Sequence, residues 1–413
     1  MKKLATNLLV LMAFVFFTIP AMAAERDYYK VGVVTSLSGD LATGGNVTKR
    51  GYDLWAKTVN EQGGIEVNGK KYKVKLYYGD AGSQPAQGAM AAERLATQEG
   101  VDFVLGPYAS GVTLAAAPVL EKYNIPMITG SAESPMIWLQ KFKYTFGTVP
   151  AVTFTAAAAI KSIAALKPQP KTAIIIGSND AFSKATAEAF QTAAKEAGIK
   201  VLRYDIVPSG QDLTPFLSAA KNLQPDLIAF GGHDEELINL VKALVQIDYT
   251  PKALLMHYGV TEPAFIEGLG KNADGVFGAS VWTGDLPIKG AYLWPTAKAY
   301  ADAAQKEFNT PADYTQAGCS AAGIAFQVAL QKADLAPPLD EAKRQKLVNA
   351  LENLDISTFY GTIRFAKSGE FYHSNVGVKP ITVQIQKGKV VVVAPAKLAQ
   401  APAEYPMTPW NKR

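Results

Sequence analysis

The chain has 413 residues, a formal net charge of +5, one cysteine and 48% apolar residues. Because a single hydrophobic core stops growing near roughly 250–300 residues, this length indicates at least two domains. One cysteine excludes an internal disulfide, a multi-thiolate zinc site and a cysteine-ligated iron–sulfur cluster. The mild charge, with no long Lys/Arg run, argues against nucleic acid as a partner.

Residues 1–23 have the organisation of a cleaved export signal. Lys2 and Lys3 precede an unbroken apolar run of ten residues from Leu8 to Phe17, and Ala21-Met22-Ala23 matches a signal peptidase site. The run is shorter than the ~20 residues that span a bilayer, although a short membrane anchor is the alternative. We therefore expect a mature chain in the periplasm.

Strands and helices alternate in the first third of the chain. The predicted strands are Lys30–Thr35, Lys73–Tyr78, Phe103–Leu105 and Met127–Thr129, and the predicted helices are Asn46–Asn60, Pro85–Glu99 and Val112–Tyr123. This alternation is typical of a parallel sheet that is covered by helices on both faces.

A second series of the same kind follows Thr148-Val149-Pro150. Its predicted helices are Thr155–Leu166, Phe182–Ala197, Pro215–Leu223, Glu235–Ile247 and Glu262–Gly268, and its predicted strands are Ala173–Ile176, Val201–Val207, Leu227–Phe230, Leu254–Met256 and Gly275–Phe277. Two similar sets of βα units predict two lobes of one architectural type.

The pattern changes after residue 290. Three helices are predicted at Tyr292–Phe308, Thr315–Lys332 and Asp340–Leu354, and strands at Thr362–Phe365, Ile381–Gln386 and Val390–Val393. Residues 396–413 contain several prolines among dispersed apolar residues, and we expect them to form an extended tail on the surface.

Several short motifs in this order resemble one family, the periplasmic solute-binding proteins of ABC transporters for branched-chain and other hydrophobic amino acids. These motifs are Val34-Thr35-Ser36-Leu37-Ser38-Gly39, Gly44-Gly45, Asn60-Glu61-Gln62-Gly63-Gly64-Ile65, Gly106-Pro107-Tyr108-Ala109-Ser110-Gly111-Val112-Thr113 and Ile125-Pro126-Met127-Ile128. The resemblance extends from about Tyr29 to Val393. It implies an α/β fold of two Rossmann-like lobes with parallel central sheets, joined by a three-stranded hinge (type I periplasmic binding protein).

The resemblance also implies the lobe boundaries and the partners. Crossovers are expected near Thr148, Ala279–Trp282 and Phe359–Gly361. The N-terminal lobe then comprises residues 24–149 and 280–358, and the C-terminal lobe comprises residues 150–279 and 359–395. The implied partners are a small-molecule ligand, an amino acid or an aromatic acid, and the membrane permease of an ABC transporter, with the protein itself a monomer.

Two loops at strand ends are the first candidate ligand contacts, since ligands bind outside the carboxyl ends of strands in open parallel sheets. Tyr108 and Ser110 lie in the first loop, and Ser131, Ala132 and Glu133 lie in the second. By resemblance, these loops hold an α-carboxylate, with the Ser110 hydroxyl and the backbone or side chains at positions 131–133 as donors. In the alternative interpretation the two serines cap helices.

Two positions depart from the family's pattern. Glu133 stands where the family often has threonine, and its charge would repel a ligand carboxylate unless it points away or pairs with the ligand's ammonium. The family's acid for that ammonium falls near Tyr258, which is not acidic.

Aromatic and imidazole side chains are the candidate contacts from the second lobe. Phe182 replaces a frequent stacking tyrosine, and His233 stands where another aromatic residue is frequent. Tyr258, His257 and Trp282 are further candidate contacts. Such a set suits planar or aromatic ligands as well as aliphatic ones. Core packing of Phe182, and a hydrogen bond from His233 to a strand-end carbonyl, are the alternatives.

No motif for catalysis occurs in the chain. It has no Gly-x-Ser-x-Gly sequence, no His-x-x-x-His pair and no dinucleotide-binding fingerprint, so we expect no enzyme, no metal and no cofactor. The leading hypothesis is a binding protein that passes a hydrophobic or branched-chain amino acid to a permease. The alternatives are a binding protein for aromatic acids or small amides, a ligand-sensing receptor of the same fold, and an exported enzyme.

Overall fold

The computed structural model describes residues 26–257 and 259–413. The predicted export signal and Tyr258 therefore lie outside the described residues. Across the described part, two sheets dominated by parallel strands are each covered by helices, which confirms the predicted two-lobed α/β fold.

The first lobe is built on a six-stranded sheet. Its elements are β1 (Tyr28–Thr35), α1 (Ala42–Glu61), β2 (Ile65–Val67), β3 (Lys70–Asp80), α2 (Pro85–Arg94), β4 (Phe103–Leu105), α3 (Ser110–Lys122), β5 (Met127–Thr129), α4 (Pro135–Leu139) and β6 (Thr145–Gly147). The strand order is β2-β3-β1-β4-β5-β6, and only the β2–β3 hairpin is antiparallel. The other neighbours are parallel because helical crossovers connect them.

Helix α1 begins four residues earlier than the sequence predicts. Its first turn contains Gly44 and Gly45, which are poor helix formers, but a Cβ atom at Gly45 would lie 1.7 Å from the carbonyl oxygen of Ser36. Glycine is therefore required for the close approach of the helix to the loop after β1. Tertiary packing, not helix propensity, decides this boundary.

In the second lobe five helices alternate with five strands. Its elements are α5 (Val152–Ala164), β7 (Thr172–Ser178), α6 (Ala181–Glu196), β8 (Lys200–Val207), α7 (Thr214–Leu223), β9 (Leu227–Gly231), α8 (Asp234–Gln246), β10 (Ala253–Met256), α9 (Pro263–Leu269) and β11 (Phe277–Ser280). Strands β7, β9 and β10 are mainly apolar and are buried on both faces, as parallel strands between helical layers must be, whereas β8 lies at the edge of the sheet and is only partly buried.

The last third of the chain contributes to both lobes. Its elements are α10 (Ala297–Phe308), α11 (Tyr314–Lys332), α12 (Glu341–Glu352), β12 (Asp355–Thr358), β13 (Gly361–Arg364), β14 (Ile381–Gln386) and β15 (Lys389–Ala394). Helix α11 packs on α1 in the first lobe, whereas β14 and β15 complete a seven-stranded sheet in the order β15-β14-β11-β10-β9-β7-β8. Strands β14 and β15 add to this sheet in antiparallel fashion.

The third crossover differs from the position expected at Phe359–Gly361. Those residues form the turn between β12 and β13, and the Phe359 ring stacks on Tyr300 of α10 with centroids 4.1 Å apart. The hairpin buries its apolar residues against the first lobe, so the chain enters the second sheet only at Ile381. The Asn375 amide donates to the carbonyl of Thr148 (2.9 Å), which ties this segment to the first crossover.

The C-terminal tail is anchored to the second lobe and does not simply lie extended on the surface. The Trp410 Nε1–H donates to the carbonyl of Tyr249 (2.6 Å), and the backbone N–H of Met407 donates to the carbonyl of Lys252 (2.9 Å). Both the Met407 and Trp410 side chains are buried in the core of that lobe. Their large apolar surfaces stabilise this docking.

Candidate functional site

The carboxyl ends of the strands in the two sheets face each other, and side chains of the two lobes meet there. The Tyr108 hydroxyl lies 3.3 Å from His233 Nδ1, and Glu133 Oε2 lies 3.6 Å from His257 Nε2. We call residues 106–110 and 130–134 the first-lobe wall. The second-lobe wall consists of Asp180, Phe182, His233 and His257.

Ser110 joins the two loops of the first-lobe wall. It is the first residue of α3 and is buried, and its Oγ accepts the backbone N–H groups of Glu133 (3.2 Å) and Ser134 (3.1 Å). The position before it, Ala109, is the N-cap of α3, so Ser110 does not cap its own helix. A hydroxyl that accepts two bonds still has one proton to donate.

The backbone donors of residues 131–134 are already used within the wall. The N–H groups of Ser131 (3.3 Å) and Ala132 (3.0 Å) donate to Thr129 Oγ1, and the next two donate to Ser110. Ala132 packs with Ile137 and Trp138. By contrast, Ser131 Oγ and Ser134 Oγ are buried and have no hydrogen-bond partner among the described residues. Side-chain hydroxyls, more than backbone N–H groups, are therefore the donors that this loop offers.

Glu133 is a buried carboxyl group between the lobes. Its side chain is 1% exposed, and its Oε1 accepts a hydrogen bond from the Tyr314 hydroxyl (2.8 Å). Its Oε2 has no hydrogen-bond partner among the described residues. Burial raises the pKa of Glu133 to about 8, and the bond from Tyr314 only partly opposes this shift. In this arrangement Glu133 carries a proton at neutral pH.

His257 faces Glu133 from the second lobe and is neutral. Its ring is 1% exposed, and its Nε2 shares a hydrogen bond with the Thr155 hydroxyl. Burial lowers the pKa of His257 to about 3. The contact between His257 and Glu133 therefore joins two uncharged groups and is not a salt bridge.

His233 is the cation of the second-lobe wall. Burial alone would lower its pKa, but the charge of Asp180 and the hydrogen bond to it (3.2 Å), with smaller contributions from Asp234 and Glu236, raise that pKa to about 9. Conversely, burial raises the pKa of Asp180, but the charge and the hydrogen bond of His233 outweigh it and bring the value to about 2. The two residues form an ion pair at neutral pH, and Nδ1–H of His233 donates to Tyr108 across the cleft.

Phe182 supplies the flat surface of this wall. Its ring centroid lies 5.2 Å from that of His233 and 5.5 Å from that of His257. Asp180 is the N-cap of α6, where its Oδ1 accepts the backbone N–H groups of Phe182 (2.9 Å) and Ser183 (3.1 Å). This cap fixes the orientation of the first turn and with it the direction of the ring.

The structure separates one predicted residue from this group. Trp282 is fully buried in the second crossover, where its Nε1–H donates to the carbonyl of Phe359 (3.0 Å) and its ring packs edge-on against Tyr300 at 5.7 Å. Tyr108, Ser110, Glu133, Phe182 and His233 lie in the two walls.

Sequence reasoning missed three supporting residues. Tyr314 reaches Glu133 from a helix 181 positions later in the chain, and Thr155 reaches His257 from 102 positions away, so no local motif marks either residue. Asp180 had a local signal, because it lies two residues before the predicted helix and aspartate is a frequent N-cap.

Neither a cluster of metal-binding side chains nor a membrane-spanning helix occurs within residues 26–257 and 259–413. No group of three or more His, Cys, Asp or Glu residues within them is arranged to hold a metal ion. None of the helices in the same ranges combines the length and the apolar character that crossing a bilayer requires.

Comparison with known proteins decides the family. The sequence model of the periplasmic binding protein family matches residues 29–379. The chain belongs to this family. One relative of this periplasmic binding protein is the Leu/Ile/Val-binding protein homolog 3 of Brucella melitensis, 26% identical over 352 residues that cover 85% of this chain and 90% of the relative.

Two solved structures share the fold. One is the branched-chain amino acid transporter substrate-binding protein LivJ of Streptococcus pneumoniae in complex with isoleucine, with a TM-score of 0.77 and 21% identity over 89% of this chain and 100% of the other. The second is an ABC transporter solute-binding protein of R. palustris in complex with benzoate, with a TM-score of 0.75 and 20% identity over 92% and 98% of the two chains. Both support the two-lobed architecture.

Proposed function

We propose that this periplasmic binding protein captures a hydrophobic amino acid, a branched-chain one first, between the two walls and delivers it to the permease of an ABC transporter. It acts in the periplasm and releases its ligand unchanged. The name of the Brucella relative and the isoleucine complex of the Streptococcus protein support the ligand class. The first-lobe wall also supports it, because its hydroxyl groups can bind the carboxylate of an amino acid and its buried carboxyl group can bind the ammonium.

Glu133 is the observation that carries this proposal. A buried carboxyl oxygen without a hydrogen-bond partner is costly, and a ligand ammonium would provide Oε2 with a charged donor. The hydroxyls of Ser110 and Ser131 then donate to the ligand carboxylate, and the ligand side chain packs on Phe182. Glu133 thus replaces the acid that is missing at position 258.

The same assignment predicts how affinity depends on pH. Glu133 has a pKa of about 8 when no ligand cation is present, so an ammonium that binds to its ionised form displaces a proton at pH 7. Affinity for an amino acid should therefore tighten by up to about tenfold per pH unit as the pH rises towards 8. Above that value Glu133 is already ionised and affinity should level off.

Closure of the lobes is the step that retains the ligand. The contacts of Tyr108 with His233 and of Glu133 with His257 join the two lobes, and they exist only while the lobes are together. A ligand can favour this arrangement only through contacts that it makes with both walls. A closed protein then presents one defined surface to the permease.

An aromatic carboxylate is the second candidate ligand, because Phe182 and the neutral ring of His257 form a flat, uncharged surface beside the His233 cation. The R. palustris protein with benzoate supports this class. In that case Glu133 keeps its proton and donates it to the ligand carboxylate. Affinity would then weaken as the pH rises through about 8.

Calorimetric titration with leucine and with benzoate, from about pH 6 to pH 9, separates the two candidates, and recovery of intact ligand tests for turnover. We expect leucine to bind, and Glu133→Gln to weaken it by about 30-fold or more, since the variant cannot carry the charge that pairs with the ammonium. Exposed Glu61→Gln is the matched control. Benzoate binding that survives Glu133→Gln, with no binding of leucine, would overturn the amino-acid assignment.

A further inference from the structure

A second concavity lies beside the second crossover and does not include either wall of the cleft. This groove has a volume of about 790 Å³, which is within the range of small-molecule sites, roughly 300–1,000 Å³. Its lining comes from α9 and the β14–β15 turn of the second lobe, from α10 and the segment before α11 in the first lobe, and from the crossover itself.

The body of the groove is apolar. Pro263 and Ile266 form one side, Ala301 and Ala312 form the other, and Trp282 of the crossover lies between them. Such a lining favours an alkyl or aryl group, because its burial removes apolar surface from water. An occupant would contact both lobes and the segment that joins them.

The charges around the groove are mainly negative. Its lining includes four acidic residues, Glu267, Asp285, Asp302 and Asp313. Among the described residues, Lys389 is the only basic one in this lining. Asp302 is also held by Lys298, with an N–O distance of 2.7 Å. The net charge of the lining is still negative, so the groove favours a cationic ligand over an anionic one.

A buried hydroxyl gives the groove a specific polar contact. Thr261 is 9% exposed, and its Oγ1 has no hydrogen-bond partner among the described residues. Oγ1 of Thr283, in the crossover, is likewise buried without such a partner. Both residues line the groove. Hydroxyl oxygens accept hydrogen bonds from an ammonium group, and a ligand donor would offset the cost of leaving them buried and unpaired.

We propose that this groove is a second binding site, separate from the cleft, for an amphiphilic ammonium compound that has an aryl or alkyl body. The ammonium donates to the Thr261 and Thr283 hydroxyls and lies within the field of the surrounding carboxylates, and the apolar body packs on Ile266 and Ala301. Because the walls belong to both lobes, such a ligand binds this arrangement of the lobes in preference to others and stabilises it.

The test uses 2-phenylethylamine as the probe and 3-phenylpropionate as its anionic counterpart, in calorimetric titration and thermal unfolding of the purified protein. We expect the amine to bind and to raise the unfolding temperature, and the acid to do neither through this groove. Thr261→Val keeps the shape and removes the hydroxyl, and it should weaken amine binding by about fivefold. Exposed Glu267→Lys should weaken it by about threefold.

Two controls locate the bound amine. Glu196→Lys makes the same charge change on the exposed end of α6, outside the groove lining, and should leave amine affinity unchanged. Glu133→Gln removes the ammonium partner of the cleft, so it should weaken only amine bound there and leave the affinity of the groove unchanged. The proposal is overturned if the amine gives no heat and no thermal shift up to about 10 mM, if the two lysine variants weaken binding equally, or if Thr261→Val has no effect while Glu133→Gln abolishes binding.

Discussion

The two walls of the cleft are built in different ways. The first-lobe wall is a pair of loops that one hydroxyl, Ser110, joins through two backbone N–H groups. The second-lobe wall is made of side chains that are oriented by a helix N-cap and an ion pair, Asp180 with His233. A wall whose loops offer hydroxyl donors suits a chemical group that many ligands share, such as a carboxylate. The aromatic wall adapts to the part of the ligand that differs.

Removal of the Ser110 hydroxyl should have the largest effect on stability. In Ser110→Ala the buried N–H groups of Glu133 and Ser134 lose their acceptor, so the free energy of unfolding should fall by about 2–4 kcal/mol. Urea denaturation measures this loss, with the exposed Ser218→Ala as the control, expected within about 0.5 kcal/mol of the parent. If Ser110→Ala is as stable as that control, the hydroxyl does not hold the two loops together.

Replacement of the crossover tryptophan separates packing from ligand contact. Trp282→Phe loses volume in a fully buried site and the bond to the Phe359 carbonyl, so stability should fall by about 2–3 kcal/mol. Affinity for the cleft ligand should stay within about twofold, a free-energy change below about 0.5 kcal/mol. Weakened ligand binding at unchanged stability would instead make Trp282 a ligand contact.

Ser110 lies in the predicted wall and Trp282 does not, and this difference shows which features can be predicted from the sequence. The βα alternation and the glycine-rich strand ends predict the fold and the first-lobe wall, because both depend on residues that are close in sequence. The third crossover was misplaced because the burial of Phe359 depends on contacts with Trp282, 77 positions earlier, and with Tyr300. The state of Glu133 depends on Tyr314, which lies in an alanine-rich helix without any motif.

The ion pair of the second-lobe wall can be tested with a variant that keeps the helix cap. Asp180→Asn retains an oxygen for the N–H groups of Phe182 and Ser183 but loses the charge, so stability at pH 7 should fall by about 1–2 kcal/mol. The pKa of His233 is raised from 6.5 to about 9, so the stabilisation is complete below pH 6.5 and is lost as the pH rises through about 9.

Equilibrium unfolding of both proteins at several pH values measures this difference. It should be largest near pH 6.5 and should disappear towards pH 10. Asp205→Asn is the control, since it breaks a partly exposed pair with Arg203 that is worth at most about 0.5 kcal/mol. A difference that does not change with pH would show that His233 and Asp180 do not form an ion pair.

The smallest expected effect concerns ligand selectivity. Phe182→Leu removes the flat surface of the second-lobe wall and should shift the ratio of affinities for phenylalanine and leucine by about threefold, because ring–ring contacts are worth only about 0.5–1.5 kcal/mol. Competition binding measures the ratio. Phe190→Leu, in the core on the same helix, should lower stability and leave the ratio unchanged. Equal ratios in both variants would remove Phe182 from the site.

The most direct test of the central claim is the number of protons exchanged when leucine binds at pH 7. Calorimetry in buffers of different ionisation enthalpy gives this number. If the ligand ammonium ionises Glu133, whose pKa is about 8 in the described arrangement, leucine binding should release close to one proton, and Glu133→Gln should abolish the release. An uptake of protons, or the same release in Glu133→Gln, would contradict the account.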